Sequence, residues 1–213
     1  MNKLTKIITA LGISIGLMGS ANASVIFSDN FDTENGGVEA LNYTGFANWN
    51  VLYGSVDLIG NGGTFDFLPG NGMYVDLDGS TGTAGLMGHV QMLTPGDYTL
   101  SFDLAGNQRN TAAEYTTVNV GVVFGDGTGN NTTISLGQYD PFTTYSLDFS
   151  VSSAFPSSLI DVTFGAAGGD YIGMLLDNVQ IADRTTTNVP EPNTLALIGA
   201  SLLGIGFVRR KTA

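Results

Sequence analysis

Carboxylates are the side chains of this chain with the clearest capacity for chemistry. Residues 24 to 189 contain eighteen Asp and Glu but only Arg109 and Arg184 as basic residues, which gives a formal charge of −16. A buried carboxylate needs a partner, and few cations are available here. Bound Ca²⁺ would supply one, because it takes six to eight oxygen ligands from carboxylates and carbonyls. The same charge excludes nucleic acid and anionic membrane surfaces as partners.

Two groups of acidic residues are candidates for a structural calcium site. The first is Asp32, Glu34 and Asp177, in which Asp177 follows the apolar Leu175 and Leu176 and is expected to be buried. The second group is Asp76 and Asp78, whose sequence lacks the spacing of an EF-hand loop. Solvated turn residues are the alternative interpretation of both groups.

Aromatic rings beside polar side chains are the usual means of binding a sugar, because the ring covers the apolar face of a pyranose. The candidates for carbohydrate contact are Trp49, Tyr74 and Arg109, the last as a partner of a uronic acid or a hydroxyl. Core packing is the alternative for Trp49, and an ion pair with a nearby Asp is the alternative for Arg109. Other aromatic residues available for the same role are Tyr53, Tyr115 and Tyr139.

Catalytic machinery is not indicated, and we predict no catalytic residues. His89 is the only histidine, and the chain has no cysteine. A histidine-based triad would therefore depend on one residue, and a zinc site would lack ligands. Paired carboxylates for glycoside hydrolysis are the one alternative that the many acids leave open.

The apolar residues of the body alternate with polar ones, which is the pattern of half-buried β-strands. The tidiest rows lie within residues 97–105, 118–124, 145–151 and 160–164, and turn sequences separate them. About ten short strands without helical crossovers predict an all-β fold, an antiparallel two-sheet β-sandwich of the jelly-roll type. The alternation breaks at Asp177-Asn178, which predicts a bulge or an inward-turned carboxylate. In a jelly roll the first and last strands often lie side by side, which would bring residues 31–34 near Asp177.

Both ends of the chain have the pattern of targeting segments. Residues 1–23 have a basic start, an apolar stretch and an Ala21-Asn22-Ala23 cleavage site, as in a secretory signal peptide that uses the Sec translocon. Residues 24–186 form the predicted β-sandwich domain. Residues 187–213 contain Pro190-Glu191-Pro192, fifteen uncharged residues from Thr194 to Val208, and the basic end Arg209-Arg210-Lys211. That apolar stretch predicts a marginal transmembrane helix with the body outside the cytoplasm.

The order of Pro-Glu-Pro, apolar helix and basic end resembles the PEP-CTERM sorting domain. The resemblance implies recognition at Pro190, Glu191 and Pro192 by an exosortase, with Arg209, Arg210 and Lys211 as the basic end. It further implies transient insertion into the inner membrane, then delivery to the cell surface or extracellular matrix. Proteins of this family accompany exopolysaccharide and biofilm production.

The body resembles carbohydrate-binding modules of the galactose-binding-like jelly-roll type. Phe31-Asp32 and Leu176-Asp177-Asn178-Val179 match a pattern in which an early acidic residue and a late Asp share a structural calcium. The resulting expectation is a non-catalytic matrix protein associated with exopolysaccharide. A surface lectin for foreign glycans is the alternative, followed by a polysaccharide-active enzyme.

Overall fold

The computed structural model of the protein describes residues 23–109 and 114–184. The predicted signal peptide up to Asn22 and the predicted sorting segment 187–213 lie outside these ranges. Within them, no helix has the length and apolar character needed to cross a membrane. The predicted span from Thr194 to Val208 is outside the described residues and stays a prediction.

Nearly all regular structure in the described residues is β-strand, with one short 3₁₀ turn at Glu34–Gly37. The strands are β1 (Val25–Asp29), β2 (Asn50–Tyr53), β3 (Asp57–Gly60), β4 (Met73–Asp76), β5 (Leu86–Leu93), β6 (Gly96–Ala105), β7 (Glu114–Phe124), β8 (Gly127–Thr128), β9 (Asn130–Leu136), β10 (Thr143–Val151), β11 (Ser158–Ala166) and β12 (Leu175–Asp183).

The strands form two antiparallel sheets that pack face to face. The seven-stranded sheet has the order β3-β4-β12-β6-β10-β8, and β1 also pairs with β12. The five-stranded sheet has the order β2-β5-β11-β7-β9. These two layers confirm the predicted all-β, antiparallel two-sheet jelly-roll sandwich.

Alternating side chains of both sheets fill the main core, as the sequence pattern predicts, and a second, smaller cluster contains Ile59, Tyr74, Ala105 and Leu175. On β6, Tyr98, Leu100, Phe102 and Leu104 are all buried. On β11, the inward residues are Ile160, Val162 and Phe164, each fully buried. Facing apolar rows of this kind hold a sandwich together because each strand buries every second side chain.

Phe124, at the end of β7, departs from the predicted row. The pairing of β7 with β11 shifts by one residue between Leu159 and Ile160. A one-residue shift turns a side chain to the opposite face of a sheet. Phe124 is therefore exposed, whereas Val118 and Val120 earlier in the row are buried.

The break predicted at Asp177-Asn178 is a bulge in β12. The register with β6 shifts between Asp177 and Gln180, and Asn178 has a left-handed backbone with φ of 50°. Asp177 is turned inward while Asn178 stays exposed. The predicted adjacency of first and last strands is also present, since β1 pairs with β12 from Val25 to Asp29.

Candidate functional site

The first predicted calcium group lies where β1 and β12 meet. Asp177 is only 2% exposed, and its carboxylate accepts a hydrogen bond from its neighbour Asn178 N at 2.7 Å. Burial, opposed by the hydrogen bond from the Asn178 N–H and helped by the negative charges of Asp32, Asp103 and Asp29, raises the pKa of Asp177 to about 7. This carboxylate therefore lies among like charges, and neither ion pair of the described residues includes it.

The other two members of that group have their own partners. One oxygen of Asp32 accepts from Met73 N at 2.8 Å, and the other accepts from the Asn30 amide at 2.6 Å. Glu34 is buried and accepts from Ala47 N at 2.9 Å. The charge of Asp32 acts on Asp177, so the two carboxylates lie close together. Glu34 instead holds the backbone at Ala47, in the segment that leads to β2.

A ready-made metal cage is not formed by acidic side chains alone. Across residues 23–109 and 114–184, no three His, Cys, Asp or Glu side chains form a group that could hold a metal ion. A cation at Asp177 would therefore need backbone or amide oxygens in its ligand set, a mixture that Ca²⁺ accepts.

The second predicted group, Asp76 and Asp78, is built around an internal cation. Asp76 is buried at the end of β4 and forms an ion pair with Arg109. Its other oxygen accepts from Asp78 N at 3.0 Å and from Gly173 N at 2.9 Å. Burial raises the pKa of Asp76 to about 7, although the Arg109 guanidinium and the Asp78 N–H oppose this rise. The guanidinium and two N–H groups thus occupy the oxygens that a metal would use.

Arg109 connects three loops at one end of the sandwich. Besides its ion pair with Asp76, it donates to the Tyr171 carbonyl at 2.9 Å. Its guanidinium also lies 4.8 Å from the centre of the Phe67 ring, a cation–π distance. The expected contact of Arg109 with a uronic acid does not fit this structure, because its guanidinium is committed to protein groups.

Asp78 holds the loop between β11 and β12 next to the Asp76–Arg109 ion pair. One of its oxygens accepts from Gly169 N at 2.5 Å and from Asp170 N at 3.1 Å. Asp78 is fully buried, and among the described residues its other oxygen lacks a hydrogen-bond partner. Asp76, Asp78 and Arg109 together fix the position of residues 168–173.

The sugar-platform role expected for Trp49 and Tyr74 is corrected by their burial. Trp49 is 2% exposed and packs 5.7 Å from Phe164, while its Nε1 donates to Asp29 at 3.1 Å. Tyr74 is fully buried, and its hydroxyl accepts from Phe67 N at 2.7 Å. Neither ring presents a face to a ligand at the surface, so both residues are core residues.

Two other tyrosines flank a groove on the outer face of the five-stranded sheet. Tyr53, at the end of β2, is 67% exposed, and Tyr115, at the start of β7, is 51% exposed. The groove between them has a volume of about 610 Å³. Loop residues 82–85 and 167–169 also line it, and we call it the tyrosine groove.

Strand register explains the shape of the tyrosine groove. Tyr53 pairs with Leu86 on β5, Leu86 with Gly165 on β11, and Gly165 with Thr117 on β7. Three strand spacings of about 4.8 Å separate the two edges of this row, or roughly 14 Å. Gly165 contributes no side chain to the row, and the end of the Leu86 side chain lies beside it. Tyr115 lies on the same face of β7 as Thr117, two residues earlier in the strand.

The residues that line the tyrosine groove carry no charge. Apart from the two tyrosines they are Leu86, Thr83, Thr117 and small residues at positions 82, 84–85 and 165–169. Exposed aromatic rings beside hydroxyl-bearing side chains are among the elements that a carbohydrate site uses. An Asp or Glu that could act as a catalytic acid or base does not occur among the lining residues.

Two solved structures share this fold at low sequence identity. The first is the endo-1,4-β-D-xylanase 10B fragment of Clostridium thermocellum with its CBM22-1 and GH10 modules; it matches with a TM-score of 0.51 and 13% identity over 76% of this chain. This chain spans 29% of that longer protein. The second is the C-terminal family 22 carbohydrate-binding module of the same enzyme, with a TM-score of 0.50, 14% identity and 76% and 96% coverage. The described body therefore has the fold of a carbohydrate-binding module.

The tail is identified by its sequence. Residues 188–211 match the PEP-CTERM protein-sorting motif, which confirms the resemblance of Pro190-Glu191-Pro192 and the basic end. The chain thus carries a PEP-CTERM sorting motif, which supports export and a place at the surface or outside the cell. No curated protein matches the sequence of this chain.

Proposed function

We propose that this protein is an exported, non-catalytic surface or matrix protein whose β-sandwich binds a polysaccharide in the tyrosine groove. The observation that carries the proposal is the uncharged groove between two exposed tyrosines on a sheet face. A separation of about 14 Å between its edges is longer than one sugar ring, which favours a polymer over a monosaccharide. The C. thermocellum fragment with the same fold was crystallised with xylohexaose, a chain of sugars.

The absence of acids from the groove lining supports the non-catalytic role. Hydrolysis of a glycosidic bond requires two carboxylates on opposite sides of the bond. Asp76 and Asp78 are buried and bonded to Arg109 and to backbone N–H groups. The exposed Asp170 follows the lining residue Gly169, whereas the side chain of Glu114 lies on the opposite face of β7 from Tyr115, so the two do not flank the groove as a pair.

Binding to a polysaccharide panel tests the groove. We expect Tyr53→Ala and Tyr115→Ala each to weaken binding by about tenfold, since exposed aromatic anchors commonly contribute more than about 1 kcal/mol. The matched control is Tyr139→Ala, because Tyr139 is equally exposed but does not line the groove. Affinity electrophoresis and calorimetry would measure the effect on the purified protein.

The panel also separates the source of the glycan. Binding to the exopolysaccharide of the producing cell supports the matrix role, and binding only to foreign glycans supports the surface lectin. If no polysaccharide binds, or if the Tyr139 variant loses as much affinity as the groove variants, the proposed site is wrong. Release of reducing sugar would instead indicate an enzyme.

For export, we propose passage through the Sec translocon, transient insertion of residues 194–208 in the inner membrane, and exosortase processing near Pro190-Glu191-Pro192. Replacement of these three residues by alanine is expected to leave unprocessed protein in the membrane fraction. Release of the alanine variant at the normal rate would contradict this route. The further proposal that the protein is delivered to a biofilm matrix is supported by the sorting motif of the tail and by the polysaccharide binding proposed for the body.

For stability, we propose that Ca²⁺ binds at Asp177, with Asp32 and oxygen atoms of their neighbours as further ligands. The support is chemical, since Asp177 is a buried carboxylate among other carboxylates, and a divalent cation would neutralise them. Glu34 belongs to the predicted group as well. Both Asp32, through Met73 N and the Asn30 amide, and Glu34, through Ala47 N, already accept hydrogen bonds that a bound cation would share or replace. Ca²⁺ in this position would join the first and last strands of the sandwich.

A further inference from the structure

The charges of the protein bear on which polysaccharides the tyrosine groove accepts. Resting on the function proposed above, we propose that the groove selects uncharged polysaccharides and rejects polymers that carry carboxylate, sulfate or phosphate groups. Three features support this selection, namely the lack of a charge in the groove, the engagement of the available cations, and the negative charge of the surrounding body, which includes the exposed Asp170 next to the groove.

A polyanion would find no cation in the groove lining. The lining residues are Tyr, Gly, Thr, Ala and Leu, none of which carries a charge. Proteins recognise carboxylate, sulfate and phosphate groups through Arg and Lys, which pair with the anion directly. A site without them can bind sugar hydroxyls and ring faces but gains nothing from an anionic group.

The two arginines of the body are already committed elsewhere. Arg109 is held by Asp76, the Tyr171 carbonyl and the Phe67 ring. Arg184 pairs with Asp148 at 2.7 Å. From residue 24 to residue 208 the sequence contains no other Arg or Lys. His89 packs against Phe27 and bonds the Asn48 carbonyl at 2.8 Å, so it is part of the core.

An acidic residue follows the loop wall of the groove. Asp170 comes directly after the lining residue Gly169 and is exposed. It adds to a formal charge of −16 between residues 24 and 189, which favours a negative potential around the groove. A polyanion is repelled by such a surface at low salt, and the repulsion weakens as salt shortens the Debye length from about 10 Å at 0.1 M to about 3 Å at 1 M.

Pairs of polymers with one backbone and different charge test this selection. We suggest hydroxyethyl cellulose against carboxymethyl cellulose, and fully methyl-esterified pectin against polygalacturonate, all with chelator present so that no divalent cation bridges protein and polymer. In about 20 mM salt we expect the neutral member to bind at least about tenfold more tightly than its anionic counterpart, and the difference should shrink in about 1 M salt.

A gain of function sharpens the test. Thr117→Lys places a cation on the groove floor and is expected to raise affinity for the anionic member of the pair about fivefold or more. Ser146→Lys adds the same charge at an exposed position of β10 in the other sheet and serves as the control, with little expected change.

The outcomes separate this inference from the proposed function. Equal or tighter binding of the anionic polymers by the unmodified protein at low salt overturns the selection alone and leaves polysaccharide binding intact. An equal gain from Thr117→Lys and Ser146→Lys would show that overall charge, not the groove, controls the preference. If neither member of any pair binds, polysaccharide binding fails and the selection fails with it.

Discussion

Two buried aspartates of this sandwich lie in similar surroundings but differ in how their charge is balanced. Burial raises the pKa of both Asp76 and Asp177 to about 7. Asp76 has Arg109 against it, whereas Asp177 has Asp32, Asp103 and Asp29 as its charged neighbours. The body has eighteen acidic residues and two arginines. Asp76 is neutralised by one of these arginines, whereas a cation from solution would be needed to neutralise the negative charge around Asp177.

The same comparison predicts that the two arginines contribute differently to the stability of the fold. Arg109 is buried enough to hold loops together, and its loss would leave Asp76 without its charged partner inside the protein. Arg184 forms its ion pair in a setting where both side chains are about half exposed. The Arg109–Asp76 pair should therefore contribute more to the free energy of unfolding than the Arg184–Asp148 pair, because exposed ion pairs are screened by water and salt.

The largest expected effect is that of Arg109→Met. Removing one partner of a buried ion pair strands the other, so we expect a loss of about 3–5 kcal/mol in the free energy of unfolding. Urea denaturation of the variant and the parent protein would measure it. Arg184→Met is the control and should cost less than about 1 kcal/mol.

A double variant distinguishes the ion pair from simple packing by Arg109. When Asp76→Asn is combined with Arg109→Met, the combined loss should be smaller than the two single losses added together, because no unpaired charge remains. Losses that simply add would mean that the Phe67 and Tyr171 contacts, and not the charge pair, account for the effect.

The next effect concerns the aspartate without a cation. If Ca²⁺ binds at Asp177, calcium at about 100 times its Kd should raise the free energy of unfolding by about 2.7 kcal/mol, and EDTA should reverse the gain. The melting temperature with and without chelator is the measurement. Asp177→Asn should remove the calcium response, whereas Asp76→Asn should keep it. An unchanged melt of the parent protein in EDTA would rule out the calcium site.

A further expected effect is a pH dependence of stability in the presence of chelator. The pKa of Asp177 is about 7 in the folded protein, against 3.8 for an ordinary exposed Asp, so the folded state binds this proton more tightly. The contribution of Asp177 to stability should therefore be highest below about pH 4, fall as the pH rises towards 7, and level off above that. Asp177→Asn should flatten part of this slope in thermal melts recorded from about pH 4 to 8. A stability that rises with pH across this window in the parent protein, and does so equally in the variant, would contradict the assignment.

Much of the fold could be predicted because one face of every strand is buried. The row from Tyr98 to Leu104 and the row from Ile160 to Phe164 alternate strictly, and burial in a sheet imposes that period. The bulge in β12 was visible for the same reason, since Asp177-Asn178 interrupts an apolar run. Phe124 was wrongly placed because a register shift in β7 depends on the partner strand, which the local pattern does not contain.

The candidate site was less accessible to sequence reasoning. Residue type alone makes Trp49 and Tyr74 candidate platforms, but their positions in the fold decide their burial, and each has an internal hydrogen bond for its polar atom. Tyr115 carried a usable signal, because it lies out of phase with the inward Val118 and Val120 and therefore points outward. Tyr53 carried none, since a shift in the pairing of β2 with β5 between Val51 and Tyr53 sets its direction. The partner of Arg109 was foreseen only as some nearby Asp.

The position of β12 has a consequence for how the protein is made. This strand is the last in the described sequence, yet it lies inside its sheet, with β6 on one side and both β1 and β4 on the other. On the export route proposed above, the strands that cross the membrane first could not complete that sheet until residue 183 had also crossed. Assembly of the sandwich would then wait for almost the whole body, and until that point β1, β4 and β6 would lack their partner β12.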